Sequence, residues 1–237
     1  MFKRVNWNQA LAEVALLVLG VGLALAADAW NDRRIEREAE AQYLDALRAD
    51  FEQTRANFVA AQEMNSFVRD NDIAFLQALE GPPGSISLDS VRALSEYAFW
   101  TEFYEPVFAT YYDLVNSGDL ALIRSDSLRL AMARFEKSFE TLDRVTMEGW
   151  EQYNLVQVPY IVENLNFLDF YGEEYFGLVL PGSSRQVAID AYWAPEFSNI
   201  LAMTIYSRHD MVTTGEESLG VVEEILRLMV SAQRDHD

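Results

Sequence analysis

Cysteine is absent from this 237-residue chain, histidine occurs twice and proline six times. Without cysteine there is no disulfide framework, no thiolate metal site and no thiol nucleophile. His236 lies in a charged C-terminal tail, which leaves His209 as the one imidazole to weigh. A di-iron bundle needs Glu-x-x-His, and the residue three before His209 is Tyr206, so His209 beside Asp210 reads as a surface pair. Basic residues are scarce too: 18 Lys and Arg against 38 Asp and Glu give a formal net charge of -20. Such a chain repels phosphate backbones, which excludes nucleic acid as a natural partner. There is no Gly-x-Ser-x-Gly, no glycine-rich phosphate loop and no nucleotide fingerprint. "DNDIAF" (70–75) opens like a calcium loop but has Ala74 and Phe75 where further oxygen ligands and a glycine belong. Asp169, Glu173 and Glu174 gather in an aromatic segment that reads as a solvated acidic loop. No catalytic residue, metal ligand or cofactor is therefore assigned.

Long hydrophobic runs are also missing, with one short exception. "EVALLVLGVGLALAADAW" (13–30) sets fourteen apolar residues, Val14 to Ala27, between Glu13 and Asp28. Fourteen falls short of the eighteen or so that usually mark a transmembrane helix. Lys3, Arg4 and the Ala24-Leu25-Ala26 triplet also suit a cleaved signal peptide, and the length suits a soluble core helix. The flanks favour a span. Trp7 and Trp30 lie roughly 34 Å apart at 1.5 Å per residue, enough to bracket a hydrocarbon core of about 30 Å with one indole at each interface. The bilayer partner is then met through residues 5–30.

Glu13, Leu17, Gly20, Ala24, Ala27 and Asn31 recur at steps of 4, 3, 4, 3 and 4, so they share one stripe of that helix. Small residues let a neighbouring helix approach, and an intramembrane carboxylate faces protein or water rather than lipid. The stripe reads as a docking face for other membrane helices or for a second copy; a tilted helix whose Glu13 reaches the interface or is protonated is the alternative.

Beyond Trp30 no Pro or Gly occurs until Gly81. Leu44, Leu47, Phe51, Thr54, Phe58 and Ala61 repeat at 3 and 4, which predicts a long amphipathic helix that can run on from the anchor. Gly81-Pro82-Pro83-Gly84 ends it, and Ser87 or Asp89 caps a short helix near 89–98. "FWTEFYEPVFATYYDL" (99–114) has seven aromatics in sixteen positions and is read as an aromatic core rather than a ligand box. Ser117-Gly118 breaks the chain. Ser125 or Asp126 then caps a helix with Leu128, Met132, Phe135, Phe139 and Leu142 on one face, running to about residue 157, before Pro159. Residues 167–190 look irregular, with a strand-like "YFGLVL" at 175–180, and two helices near 196–213 and 216–233 close the chain. The expected fold class is all-α: an anchor helix (1–32) followed by an acidic antiparallel helical bundle (33–237).

Two stretches, "AEVALLVLGVGLALAADAWNDRR" with "YLDALRADF" and then "LVNSGDLALIRSDSLRLAMARF", resemble an uncharacterised family of bacterial single-pass membrane proteins. In that family a Glu-containing apolar helix ends in Trp-Asn, here Trp30-Asn31, and a later Ser-Gly plus Leu-Arg motif precedes a helix. This chain differs in having Ala12 where members usually carry Gly, and in a shorter basic start. The resemblance implies a bacterial inner-membrane anchor and a helical domain on the periplasmic side, and it carries over no catalytic residue. The expected function is non-enzymatic: an interaction or scaffold protein, an accessory subunit of a larger membrane complex such as an energy-transducing or photosynthetic one. The alternative is a ligand-sensing outer domain acting through a separate transducer.

Overall fold

The computed structural model describes residues 7–165, 174–175, 178–179 and 189–234; the side chains of residues 7–14, 88, 174–175, 178–179, 189 and 234 lie outside that description. The fold is all-α apart from one two-residue β pairing. In chain order the elements are α1 (Trp7–Ala78), α2 (Leu88–Ser95), α3 (Ala109–Ser117), a 3-10 turn (Asp119–Leu122), α4 (Asp126–Gln152), a π segment (Tyr153–Gln157) and α5 (Val158–Asn164). Then come β1 (Glu174–Tyr175), β2 (Leu178–Val179), a second 3-10 turn (Ile189–Trp193) and α6 (Pro195–Arg234). β1 and β2 pair antiparallel, with Glu174 opposite Val179 and Tyr175 opposite Leu178.

The apolar segment and the amphipathic helix are one element. α1 contains no Pro and, after Gly22, no Gly, and it runs unbroken for 72 residues, so no break marks the boundary expected at residue 32. Its C-terminal part follows a strict seam: Glu40, Leu44, Leu47, Phe51, Thr54, Phe58, Ala61, Asn65, Val68, Asp72, Phe75 and Leu79 alternate steps of 4 and 3, and all are buried. That spacing lays one narrow stripe against neighbouring helices, as in left-handed coiled packing.

α6 supplies the facing seam, from Phe197 through Leu201, Thr204, Arg208, Met211, Gly215, Ser218, Val222 and Ile225 to Met229, again at 4 and 3. Here the expectation of two helices is corrected. Glycine in a helix interior costs only about 1 kcal/mol relative to alanine, which tertiary packing overrides. Gly215 is needed for closeness: a Cβ there would lie 2.4 Å from the Tyr104 hydroxyl and 2.6 Å from Gln62 Oε1.

Contacts along the helices give their directions. Gln62 reaches Glu216, Arg55 reaches Glu223 and Asp45 reaches Gln233, so α6 runs antiparallel to α1. Gln157 meets Thr204, Ser138 meets Ser218 and Arg134 meets Glu224, so α4 is antiparallel to α6 as well. Near the anchor the core is aromatic: Phe51 and Phe135 lie 5.4 Å apart, and Phe58 and Tyr104 5.3 Å, both edge to face. A second apolar cluster at the far end centres on Phe75, Tyr192 and Phe197.

Local signals place the ends. Ser87 Oγ accepts from Ser90 N and Ser125 Oγ from Leu128 N, as N-caps do. Gly84 (φ 81°) and Gly118 (φ 83°) take the left-handed conformation that glycine adopts at no steric cost. The helix expected to stop before Pro159 instead passes it. Pro159 cannot donate to the preceding turn and its ring crowds that turn; the five-residue π segment widens the helix just ahead, and α5 starts with proline in its first turn.

Candidate functional site

Three places carry features beyond packing: the anchor, a buried polar centre far from it, and a cavity where the anchor enters the domain.

Among the described residues one helix is long and apolar enough to cross a membrane, and its apolar window is not buried by any of them. Leu17, Gly20, Ala24, Ala27 and Asn31 are all exposed, and a Cβ at Gly20 would meet no atom within 4 Å. Among the described residues nothing packs on these five positions. Asn31 Oδ1 accepts from Arg34 at 3.3 Å. Trp30 is 62% exposed, as an interfacial indole would be. Trp7 and Glu13 belong to α1, but their side chains lie outside the described residues.

The aromatic segment after α2 forms a strap, residues 100–108, that is neither helix nor strand. Polar side chains of α1 capture its backbone. Asn65 Nδ2 donates to the Glu102 carbonyl at 2.9 Å while its Oδ1 accepts from Glu102 N at 3.1 Å. Asn57 donates to the Glu105 carbonyl, Thr54 Oγ1 accepts from Val107 N, and Asp50 accepts from Thr110 N at the start of α3, each at 2.9 Å. A strap without secondary structure has unpaired peptide groups, and this ladder satisfies them. Tyr104 and Tyr111 are buried and join the aromatic core, whereas Phe103 and Tyr112 stay exposed. Burial pushes the Tyr104 phenol up to about 12; burial and the hydrogen-bonded Glu136 do the same for Tyr111.

The strap begins at an ion pair. Arg208 Nε lies 3.2 Å from Asp72 Oδ2, Arg208 Nη1 donates to the Trp100 carbonyl, and both side chains are buried. Burial raises the Asp72 carboxyl to about 7, although the facing guanidinium pulls it down. Burial likewise lowers Arg208 against the opposing effect of Asp72. Asp72 Oδ1 has no hydrogen-bond partner among the described residues. Beside Arg208 a cavity of about 20 Å³, touched by Thr101, Gln157 and Thr204, holds one water at most. This centre joins α1, α6 and the strap, and its cavity has no room for a substrate.

The third place is a cavity of about 380 Å³ lined by Arg37, Glu40, Arg124, Ser125, Ser127 and the end of α6. Glu40 is 2% exposed; its Oε1 accepts from Arg124 N at 2.7 Å and its Oε2 faces Arg124 Nε at 3.3 Å. Periodicity of apolar residues misses this site, because a buried glutamate at a seam position reads as surface. No group of three or more His, Asp or Glu able to hold a metal exists among the described residues. His209 is exposed; Asp169 and Glu173 lie outside the described residues, as does the Glu174 side chain.

Comparison with family models, with curated proteins and with solved structures returns no match to this chain.

Proposed function

We propose that the protein is a membrane-anchored, non-enzymatic interaction or scaffold protein, an accessory subunit of a larger bacterial membrane complex. One observation carries this reading: the apolar part of α1 buries nothing against its own chain, yet runs without a break into the seam of the packed domain. An anchor of that kind offers its whole circumference to lipid and to other helices, and it holds the domain at a fixed rotation relative to whatever the anchor docks on. The stripe of Glu13, Leu17, Gly20, Ala24, Ala27 and Asn31 is the docking face in this reading. The resemblance to bacterial single-pass proteins supports an inner-membrane location with the bulk of the chain in the periplasm. Energy-transducing and photosynthetic complexes are suitable hosts.

A ligand-sensing domain acting through a separate transducer is the second reading. The same unbroken helix favours it, since a tilt of the domain would be carried into the bilayer.

Mild detergent extraction followed by native mass measurement tests the first reading. The expected particle contains a second copy or a co-purifying membrane protein, and Glu13→Gln or Gly20→Leu dissociates it while the domain keeps its helicity. A strictly monomeric particle with nothing bound refutes it. Protease treatment of intact spheroplasts tests the orientation, with cleavage of the domain expected and protection overturning it.

A further inference from the structure

We propose that the cavity between the start of α4 and the end of α6, with the basic stripe of α1 beneath it, holds the anionic headgroup of a lipid from the leaflet in which Trp30 is anchored. The inference rests on the membrane reading above and adds a ligand class and a site to it.

The seam of α1 does not stop at the edge of the core. Leu47, Leu44 and Glu40 are followed toward the anchor by Arg37, Arg33 and Trp30, at steps of 3, 4, 3, 4 and 3, so these residues leave the domain on the side that α4 and α6 overhang. At 1.5 Å per residue, Arg33 lies about 4.5 Å and Arg37 about 10.5 Å beyond Trp30. With an indole at the interface, both guanidinium groups stand at headgroup depth, within the reach of long basic side chains that bend toward lipid phosphate. Arg37 lines the cavity together with Glu40 and Arg124, and Arg33 lies one turn further toward Trp30 on the same stripe.

Local charge decides what can enter. Among the described residues, three of the nearby carboxylates are taken up by other arginines, while Asp32 and Glu36 make no ion pair. Glu40 is held by Arg124, Glu38 by Arg34 at 3.6 Å, and Asp126 by Arg129. Arg37 Nε donates to the Arg33 carbonyl, and neither arginine makes an ion pair among the described residues. Asp32 and Glu36 lie about 100° around the helix from Arg33 and Arg37, one residue away in each case. The cavity wall adds the first turn of the 27-residue α4, with Ser125 and Ser127, whose N–H groups and dipole favour an anion. The net charge of -20 does not oppose this at close range, because at physiological ionic strength charges more than about 8 Å away are largely screened. A volume of about 380 Å³ is in the range of small-molecule sites and suits a phosphate-bearing headgroup.

The test uses the full chain in nanodiscs of phosphatidylcholine alone or mixed in equal parts with phosphatidylglycerol. After release into mild detergent, native mass spectrometry reads which lipid stays bound. Phosphatidylglycerol should be retained over phosphatidylcholine, and Arg33→Gln with Arg37→Gln should lower its retention about tenfold or more. Arg144→Gln, far from the anchor, should leave it unchanged. Inorganic phosphate added to phosphatidylcholine discs separates the sources: if it raises the melting temperature as much as phosphatidylglycerol does, the ligand is a soluble anion and the lipid proposal falls. Equal retention of both lipids by chains that enter the discs overturns the headgroup site alone. Chains that fail to enter any disc overturn the membrane reading beneath it.

Discussion

Arg208 and Asp72 face each other across the packed domain at 3.2 Å, 136 residues apart in sequence, and the same guanidinium holds the carbonyl of Trp100. One arginine thus joins α6, α1 and the strap. Removing one partner of a buried ion pair strands the other charge, which typically costs about 3–5 kcal/mol. Arg208→Met should lower stability by that amount in chemical denaturation at about pH 9, where the Asp72 carboxyl is ionised in the parent. It should also increase exchange at the strap amides, because the Trp100 carbonyl loses its donor. A loss under about 1 kcal/mol would mean that the pair contributes nothing net over an apolar contact.

Asp72 also sets a pH dependence. Its carboxyl is raised from 3.8 to about 7 in the folded protein, so between those values the folded state keeps a proton that the unfolded state has lost. Stability from this group is full below the unfolded value and is lost as pH rises through about 7. Other carboxylates titrate in the same range, so the measurement is a difference. Wild-type stability minus that of Asp72→Asn should fall as pH rises from about 4 to about 7, then stay level. A difference that rises over this window would show that Arg208 keeps the carboxylate ionised.

Two glycines in α6 give opposite expectations. Gly215 is buried where a Cβ would lie 2.4 Å from the Tyr104 hydroxyl, and Tyr104 sits in a strap tied to α1 that has little room to retreat. Gly215→Ala should cost about 1–3 kcal/mol, as overpacking does. Gly220 is exposed with no atom within 4 Å of a Cβ, so Gly220→Ala should add about 1 kcal/mol through helix propensity. Thermal melts of the two variants should move in opposite directions.

Asn65 gives the strap both of its hydrogen bonds to Glu102 and is fully buried. Asn65→Ala leaves a peptide N–H and a carbonyl unsatisfied, so it should destabilise the protein by about 2–3 kcal/mol. Amide exchange at Glu102 should accelerate more than at Val107, which Thr54 holds. Uniform acceleration along the strap would mean that it opens as one unit.

The seams show what was legible in the residues and what was not. Leu44 to Ala61 on α1, Leu128 to Leu142 on α4 and Val222 to Met229 on α6 stand out because their buried positions are almost all apolar. The same seams run on through Asn65 and Asp72, and through Thr204, Arg208 and Gly215, where apolar periodicity fails. Those residues are buried because a partner distant in sequence satisfies them: a strap backbone, an ion pair, a tyrosine hydroxyl. Such partners have no local signature. Two helices are therefore expected where one continues through Gly215, and the basal cavity around Glu40 has no sequence signal. The long apolar helix at the start of the chain was legible for the opposite reason, since its composition needs no tertiary partner.

The unbroken path of α1 from anchor to core makes the last prediction. Residues 31–38 are exposed, and the buried seam of α1 begins at Glu40. Because the chain has no cysteine, Leu25→Cys with Glu63→Cys, both at exposed positions, provides two unique sites for spin labels. Thirty-eight residues of continuous helix separate them by about 57 Å. Pulsed dipolar spectroscopy in nanodiscs should give one narrow distance distribution near that value. Ile35→Pro removes a helical hydrogen bond and crowds the preceding turn in the exposed stalk, at a cost of about 3 kcal/mol confined to that turn. It should broaden and shorten the distribution while the melting of the domain changes little. A broad distribution in the parent would show that the stalk bends on its own, and the fixed rotation between anchor and domain would be lost as an argument for docking.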